Sequence, residues 1–99
     1  SMTTPPLPPP PPGPPAIASI TILPATAMVP RGGQFPFYAD CVDVNGMHVP
    51  PPPDLAWSVD GAAFGSVGPQ GLFWDNAPYT VQVRATVGAV SGVATVTVA

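Results

Sequence analysis

The only cysteine and the only histidine of the chain are the first pair of side chains to consider for chemistry. If the two residues formed a catalytic pair, Cys41 would be the nucleophile and His48 its general base. A catalytic thiol needs solvent exposure and a lowered pKa. Cys41 lies in the inward register of an alternating stretch, which predicts a buried and inert thiol. His48 lies in a proline-rich loop, which predicts a solvated side chain that binds nothing. The sequence therefore predicts no catalytic residue.

The stretch Asp43-Val44-Asn45-Gly46 begins like a calcium-binding loop. The following residues, MHVPP, lack the later oxygen ligands and the closing glutamate of such a loop. Asn-Gly is also the favoured pair for a tight hairpin turn, because both residues tolerate a positive φ. We therefore expect a turn, with no metal and no cofactor, and a weak surface calcium site near Asp43 stays open. The other carboxylates are scattered and show no acid–base pair.

Three aromatic residues are the best candidates for an interaction surface. Phe73 and Trp74 are adjacent, and neighbouring side chains of a strand point to opposite faces. One of the two must therefore leave the core or lie under a loop. Tyr38 lies on the polar face of its own stretch. Exposed aromatic side chains mark contact surfaces unless a loop or the proline tract covers them, so the sequence predicts a surface of Tyr38, Phe73 and Trp74.

The first 15 residues contain nine of the 18 prolines of the chain. Proline fixes φ and lacks an N–H, so residues 5–15 are expected to form a polyproline II segment about 34 Å long. One alternative is a semi-rigid spacer. The other is a ligand for an aromatic-lined groove of the SH3, WW or profilin type. In that second alternative the partner-binding residues are Pro5, Pro6, Leu7, Pro8, Pro9, Pro10, Pro11 and Pro12.

The composition excludes several partners. Charged residues make up 7% of the chain and the net charge is −3, with no lysine at all. Binding of nucleic acid needs several cations on one face, and so does attachment to an anionic membrane surface. No apolar run approaches the ~20 residues needed for membrane insertion. A single cysteine also excludes an internal disulfide.

The remaining residues, 16–99, show short alternating stretches separated by turn residues, which is typical of an all-β domain. We expect a two-sheet sandwich or a barrel behind a tether of residues 1–15. The main core strands would be residues 34–44, 55–59, 79–87 and 90–98, packed around Trp57. The last of these is uncharged and β-prone, so it would recruit another strand if it lay at a sheet edge.

Turn and strand motifs follow one another along residues 18–98 in this order: Pro24-Ala25, Gly32-Gly33, Asn45-Gly46, Trp57-Ser58, Gln70-Gly71-Leu72 and Ser91 to Val98. This order resembles the bacterial immunoglobulin-like domain of group 2. The closing strand and the tryptophan of strand C are the most specific parts. Pro78 stands where the family usually has glycine, and four prolines interrupt the loop from strand B to strand C.

The resemblance implies an immunoglobulin-like β-sandwich of about seven strands in two antiparallel sheets. Such domains are repeated building blocks of surface and secreted proteins, including adhesins, and the resemblance implies no chemistry. We expect a non-catalytic spacer or adhesion module, extracellular or on the cell surface, whose partners are neighbouring domains of the same chain. A protein or glycan ligand stays open as a further partner. The alternatives are a recognition module whose proline tract is bound by a partner domain, and an accessory carbohydrate-contacting domain of a secreted enzyme. Ser1-Met2 looks like an expression scar, so we expect the chain to be a piece of a longer protein.

Overall fold

The computed structural model describes residues 2–10, 13–60, 66–75 and 77–99, and these residues form strands, turns and extended segments without a helix. The expected all-β sandwich without a disulfide is confirmed. The strands are β1 (Ile17–Leu23), β2 (Thr26–Val29), β3 (Gln34–Pro36), β4 (Tyr38–Asp43), β5 (His48–Val49), β6 (Ala56–Asp60), β7 (Ser66–Val67), β8 (Leu72–Trp74), β9 (Thr80–Val87) and β10 (Val90–Val98).

Two layers enclose the core. The front sheet has the strand order β2-β10-β9-β6, in which β10 pairs with β2 in parallel and with β9 in an antiparallel hairpin. The order β6-β9-β10, with β6 at the edge, matches strands C, F and G of an immunoglobulin-like sandwich. The back layer consists of two smaller sheets, β1-β4-β5 and β3-β8-β7. Buried side chains from both layers form one hydrophobic cluster.

The back layer is more finely divided than the sequence predicts. The stretch expected as one strand, residues 34–44, is split at Phe37 into β3 and β4. The Phe37 N–H donates to the carbonyl of Gly71 at 2.8 Å, which continues the pairing of β3 with β8. Pro36 is the last residue of β3 and has no N–H to donate. The described residues thus form ten short strands in three sheets, with one parallel pair, where about seven strands in two antiparallel sheets were expected.

The alternating patterns identify the core correctly. Val81, Val83 and Ala85 of β9 are buried, as are Val96 and Val98 of β10. The largest fully buried side chains include Phe37 and Phe73. Trp57, expected at the centre of the core, is instead half-buried and packs against its side. Strand β10 lies between β2 and β9. It is therefore not an edge strand, and the condition under which it would recruit another strand is not met.

The chain enters and leaves the sandwich at opposite ends. Three contacts give the relative direction of β1, β2 and β10. Gly92 lies close to the carbonyl of Ile20, and the Thr95 N–H donates to the carbonyl of Ala25. Further along the chain, Val98 is paired with Val29. Strands β1, β2 and β10 therefore run in the same direction, and the chain passes between layers near the cis peptide Leu23–Pro24. The proximal end contains Ala16, whose carbonyl accepts a hydrogen bond from Val44 N–H. The distal end contains Ala99, whose carbonyl accepts from Arg31 N–H.

Candidate functional site

The two adjacent aromatic residues of β8 take opposite sides of the back layer. Phe73 is fully buried at 0% exposure, so its assignment to an interaction surface is wrong. Its ring packs edge-on against Phe37, with the ring centroids 6.4 Å apart. Trp74 is 41% exposed and Tyr38 is 67% exposed. The sequence rule that one of the pair must leave the core is confirmed, and the structure shows that Trp74 is the one that does.

Tyr38 and Trp74 belong to one exposed apolar row on the outer face of the back layer. Paired residues of antiparallel strands carry their side chains on the same face. Tyr38 is paired with Leu23, and Trp74 with Gln34. Between them lie Pro36 and Leu72, which are paired with each other. All of the apolar members of this row are exposed: Leu23, Pro36, Tyr38, Leu72 and Trp74.

A groove, called here the side groove, lies where the start of β4 faces β6 across the two layers. Its volume is about 530 Å³, which falls in the usual range for small-molecule and peptide sites. Aromatic and proline side chains dominate the lining, and none of the lining residues is charged. The lining residues are Phe37, Tyr38, Ala39, Pro51, Pro52, Pro53, Leu55, Trp57, Pro69 and Gln70.

Trp57 forms the inner wall of the side groove. Its indole ring reaches from the front sheet to the back layer, because a Cβ placed at Gly71 would lie 2.9 Å from Trp57 Cζ2. One part of the ring packs on the core while the rest remains accessible, which agrees with its half-buried state. Glycine at position 71 is therefore required for this close approach of the two layers.

Three side chains of the side groove carry hydrogen-bond donors. They are the Tyr38 hydroxyl, the Trp57 indole N–H and the Gln70 amide. Within residues 2–10, 13–60, 66–75 and 77–99, none of these three groups forms a hydrogen bond. The side groove thus combines apolar walls with three donor groups that form no hydrogen bond to another described residue.

The Cys41 and His48 side chains do not meet. Cys41 is fully buried, while His48 is paired with Val42 and projects to the opposite face. Burial raises the pKa of the Cys41 thiol, and the nearby Asp40 carboxylate raises it further. A neutral thiol is a poor nucleophile. His48 is exposed, as expected, but it lies in strand β5 and not in a loop. Its Nδ1 lies 2.8 Å from Oδ1 of Asp40.

Asp43 shapes a turn. Its Oδ1 accepts hydrogen bonds from the backbone N–H groups of Asn45 at 2.9 Å and Met47 at 3.0 Å. Gly46 has a φ of 80°, whereas the φ of Asn45 is not positive. Across the described parts of the chain, no three His, Cys, Asp or Glu side chains come together as a metal site. The hydrogen bonds of Asp43 and the positive φ of Gly46 show that the motif forms a turn.

The proline tract is exposed at residues 2–10 and 13–16, without strand pairing. Pro11 and Pro12, two of the predicted partner-binding residues, lie outside the described residues. Near the proximal end, Pro14 and Pro15 border a second groove of about 540 Å³, together with Val49, Val87 and the prolines at 50–53. The Pro50–Pro53 loop therefore separates this second groove from the side groove.

Sequence reasoning missed the side groove itself. From the sequence alone, the four consecutive prolines indicate only an interrupted loop between two strands, and Trp57 only a core residue. A run of prolines cannot pair into a sheet, so it must pass outside the ladder. That signal, combined with a tryptophan four residues later, was available in the sequence. The facing wall at Tyr38 and Gln70 comes from distant parts of the chain and gave no such signal.

Neither the family models nor the curated proteins with which the chain was compared give a match. The described residues also include no helix suited to crossing a bilayer.

Proposed function

We propose that this chain is a non-catalytic spacer and presentation module of a larger surface or secreted protein. The observation that carries the proposal is the position of Ala16 and Ala99 at opposite ends of the sandwich. Strand β10 has nine residues, which corresponds to a separation of about 30 Å between the ends. A module with this geometry adds length when it is placed in series with other modules.

The proline tract extends this reach. Residues 5–15 would add about 34 Å in the polyproline II conformation, and the longest dimension of the chain is 76 Å against 24 and 19 Å across. Membership of the group 2 bacterial immunoglobulin-like family is part of the same proposal. It is supported by the motif order of the sequence together with the strand order of the front sheet.

The pairing of β2 with β10 suits a module that bears tension. The two strands run in parallel from Thr26 opposite Thr95 to Val29 opposite Val98. Traction applied at the tract and at Ala99 pulls these strands along their length in opposite directions. Their hydrogen bonds must then break together under shear, which requires more force than breaking them one after another.

A matched pair of proline substitutions tests this function. The Thr95 N–H donates to the carbonyl of Ala25, and the N–H of Ala99, just after β10, donates to the carbonyl of Val29. Because backbone groups alternate in direction along a strand, the Ala27 N–H points towards β10 and the Met28 N–H points away from it. Ala27→Pro removes a donor from the ladder, whereas Met28→Pro removes an N–H that points away from β10 at the edge of the front sheet. We expect Ala27→Pro to lower the unfolding force strongly and Met28→Pro to change it little.

The measurement is single-molecule force spectroscopy with handles attached before residue 2 and after Ala99. Unfolding of the sandwich should release about 260 Å of chain in one step. Equal unfolding forces for the two variants, or gradual extension of the unsubstituted chain, would contradict a role under tension.

The rival roles are tested with the same protein. Saturable binding of a profilin, SH3 or WW domain that disappears on deletion of residues 5–15 would favour recognition of the tract. A response of Trp74 fluorescence to a glycan would favour the carbohydrate-contacting role.

A further inference from the structure

The side groove is chemically suited to a chain segment that is apolar, uncharged and rich in hydrogen-bond acceptors. Its walls are proline, leucine and aromatic side chains, and its lining carries no charge. The Tyr38 hydroxyl, the Trp57 indole N–H and the Gln70 amide are donors without acceptors among the described residues. An occupant that supplies carbonyl oxygens could accept hydrogen bonds from all three in place of water.

The proline tract has that chemistry. Every proline carries a carbonyl but no N–H, and in the polyproline II conformation no internal hydrogen bond uses these carbonyls. Residues 5–10 contain five prolines and one leucine, with no charge. All six residues are exposed. Grooves lined by aromatic side chains bind such segments because the segment is already ordered before binding.

The tract of the same molecule is poorly placed to fill the side groove. Pro14 and Pro15 lie on the other side of the Pro50–Pro53 loop, in the second groove at the proximal end. Ala16 is held there through its carbonyl by the N–H of Val44. Gly13 is the only residue between 8 and 15 that is not proline, so a stiff segment would have to reverse direction at one point. The 76 Å length of the chain shows the tract directed away from the sandwich.

We propose that residues 5–10 of one molecule bind in the side groove of a second copy of this chain. The prolines pack on Trp57 and Tyr38, and their carbonyls accept hydrogen bonds from the three donors. The same contact can form in both directions, which closes a two-fold dimer. In a surface protein, this contact would link neighbouring chains through segments that each of them already carries.

Sedimentation velocity of the intact chain over a concentration series is the test. We expect reversible dimers with a Kd below about 1 mM. Tyr38→Ala, in the side groove, should weaken association at least about tenfold. Because this side chain is 67% exposed, circular dichroism should show an unchanged fold. Trp74→Ala is the matched control, since Trp74 is an exposed aromatic residue of the same layer but not of the side groove. It should leave the Kd within about twofold.

A second set of variants distinguishes binding of the tract in the side groove from non-specific self-association. Pro8→Ser, Pro9→Ser and Pro10→Ser together should weaken association as much as Tyr38→Ala does. Mixing this triple variant with the Tyr38→Ala variant leaves one intact tract and one intact groove. The mixture should therefore associate at least about tenfold more tightly than either variant alone. A monomer at every concentration up to about 1 mM, an association that does not depend on the tract, or a mixture that stays monomeric would each overturn the proposal.

Discussion

Gly71 is the residue at which a single added methyl group should disturb the molecule most. Its φ is 82°, a conformation that residues with a Cβ adopt at a cost of about 1–2 kcal/mol. Its carbonyl accepts the hydrogen bond from Phe37 N–H that joins β3 and β4 to β8. A Cβ at this position would collide with the carbonyl oxygen of Phe37 and would lie 2.9 Å from Trp57 Cζ2.

The expected cost of Gly71→Ala follows from these two contributions. Phe37 is fully buried, so its carbonyl cannot move aside without shifting the core. Overpacking of this kind costs about 1–3 kcal/mol, in addition to the backbone strain of about 1–2 kcal/mol. The free energy of unfolding should therefore fall by about 2–5 kcal/mol. A domain of this size has a total stability of about 4–12 kcal/mol, so the variant would lose a large part of it.

Two other glycines separate the contributions. Gly46 has a φ of 80° but no atom within 4 Å of an added Cβ, so Gly46→Ala should show the strain alone, about 1–2 kcal/mol. Gly92 has no positive φ, but an added Cβ would collide with the carbonyl of Ile20. Gly92→Ala should therefore show the collision alone, about 1–3 kcal/mol.

Urea unfolding, followed by far-ultraviolet circular dichroism and by tryptophan fluorescence, measures all three variants on one scale. Gly71→Ala should be the least stable of the three, and it should also shift the native fluorescence because the indole of Trp57 is displaced. If Gly71→Ala and Gly46→Ala lose the same free energy of unfolding, the close approach of Trp57 to Gly71 is wrong, and the inner wall of the side groove with it.

Two further predictions concern Asp43 and Cys41. Asp43→Ala removes the acceptor of two backbone N–H groups and should lower the free energy of unfolding by about 1–2 kcal/mol; Asp43→Asn, which keeps an acceptor, should lose less in the same urea experiment. For Cys41, burial and Asp40 raise the pKa of the thiol in the folded state, so deprotonation favours the unfolded chain. The free energy of unfolding should therefore fall as the pH rises above about 8.5 and through the folded pKa, and Cys41→Ala should remove this part of the pH dependence. An unchanged pH profile in Cys41→Ala would refute the assignment.

Local sequence patterns predicted the strands and the faces that enter the core. Val81, Val83 and Ala85 alternate with polar residues, and all three are buried. The Asn45-Gly46 turn also followed from local chemistry, because its geometry depends on the φ of its own residues. Such features depend on neighbours along the chain, which the sequence shows directly.

The interaction surface was predicted only in part. Adjacency required that Phe73 and Trp74 separate, but the choice between them depends on the register of β8 against β3, in which Phe35 lies opposite Phe73. That register brings Phe73 into the core beside Phe37. Cross-strand register depends on residues distant in sequence, so alternation alone could not decide it.

The sequence by itself determined the all-β class, the inward faces of the long strands, the exposed proline tract and the lack of an internal disulfide, because each depends on composition or on neighbours in the chain. Only the tertiary structure decided that β10 is an interior strand, that Trp57 lies at the side of the core, and that Tyr38, Trp57, Gln70 and the Pro51–Pro53 segment form one groove. The physical reason is that a groove between two layers is formed by side chains from separate strands and loops. Their distances from one another are set when the sheets pack, and no local pattern records them.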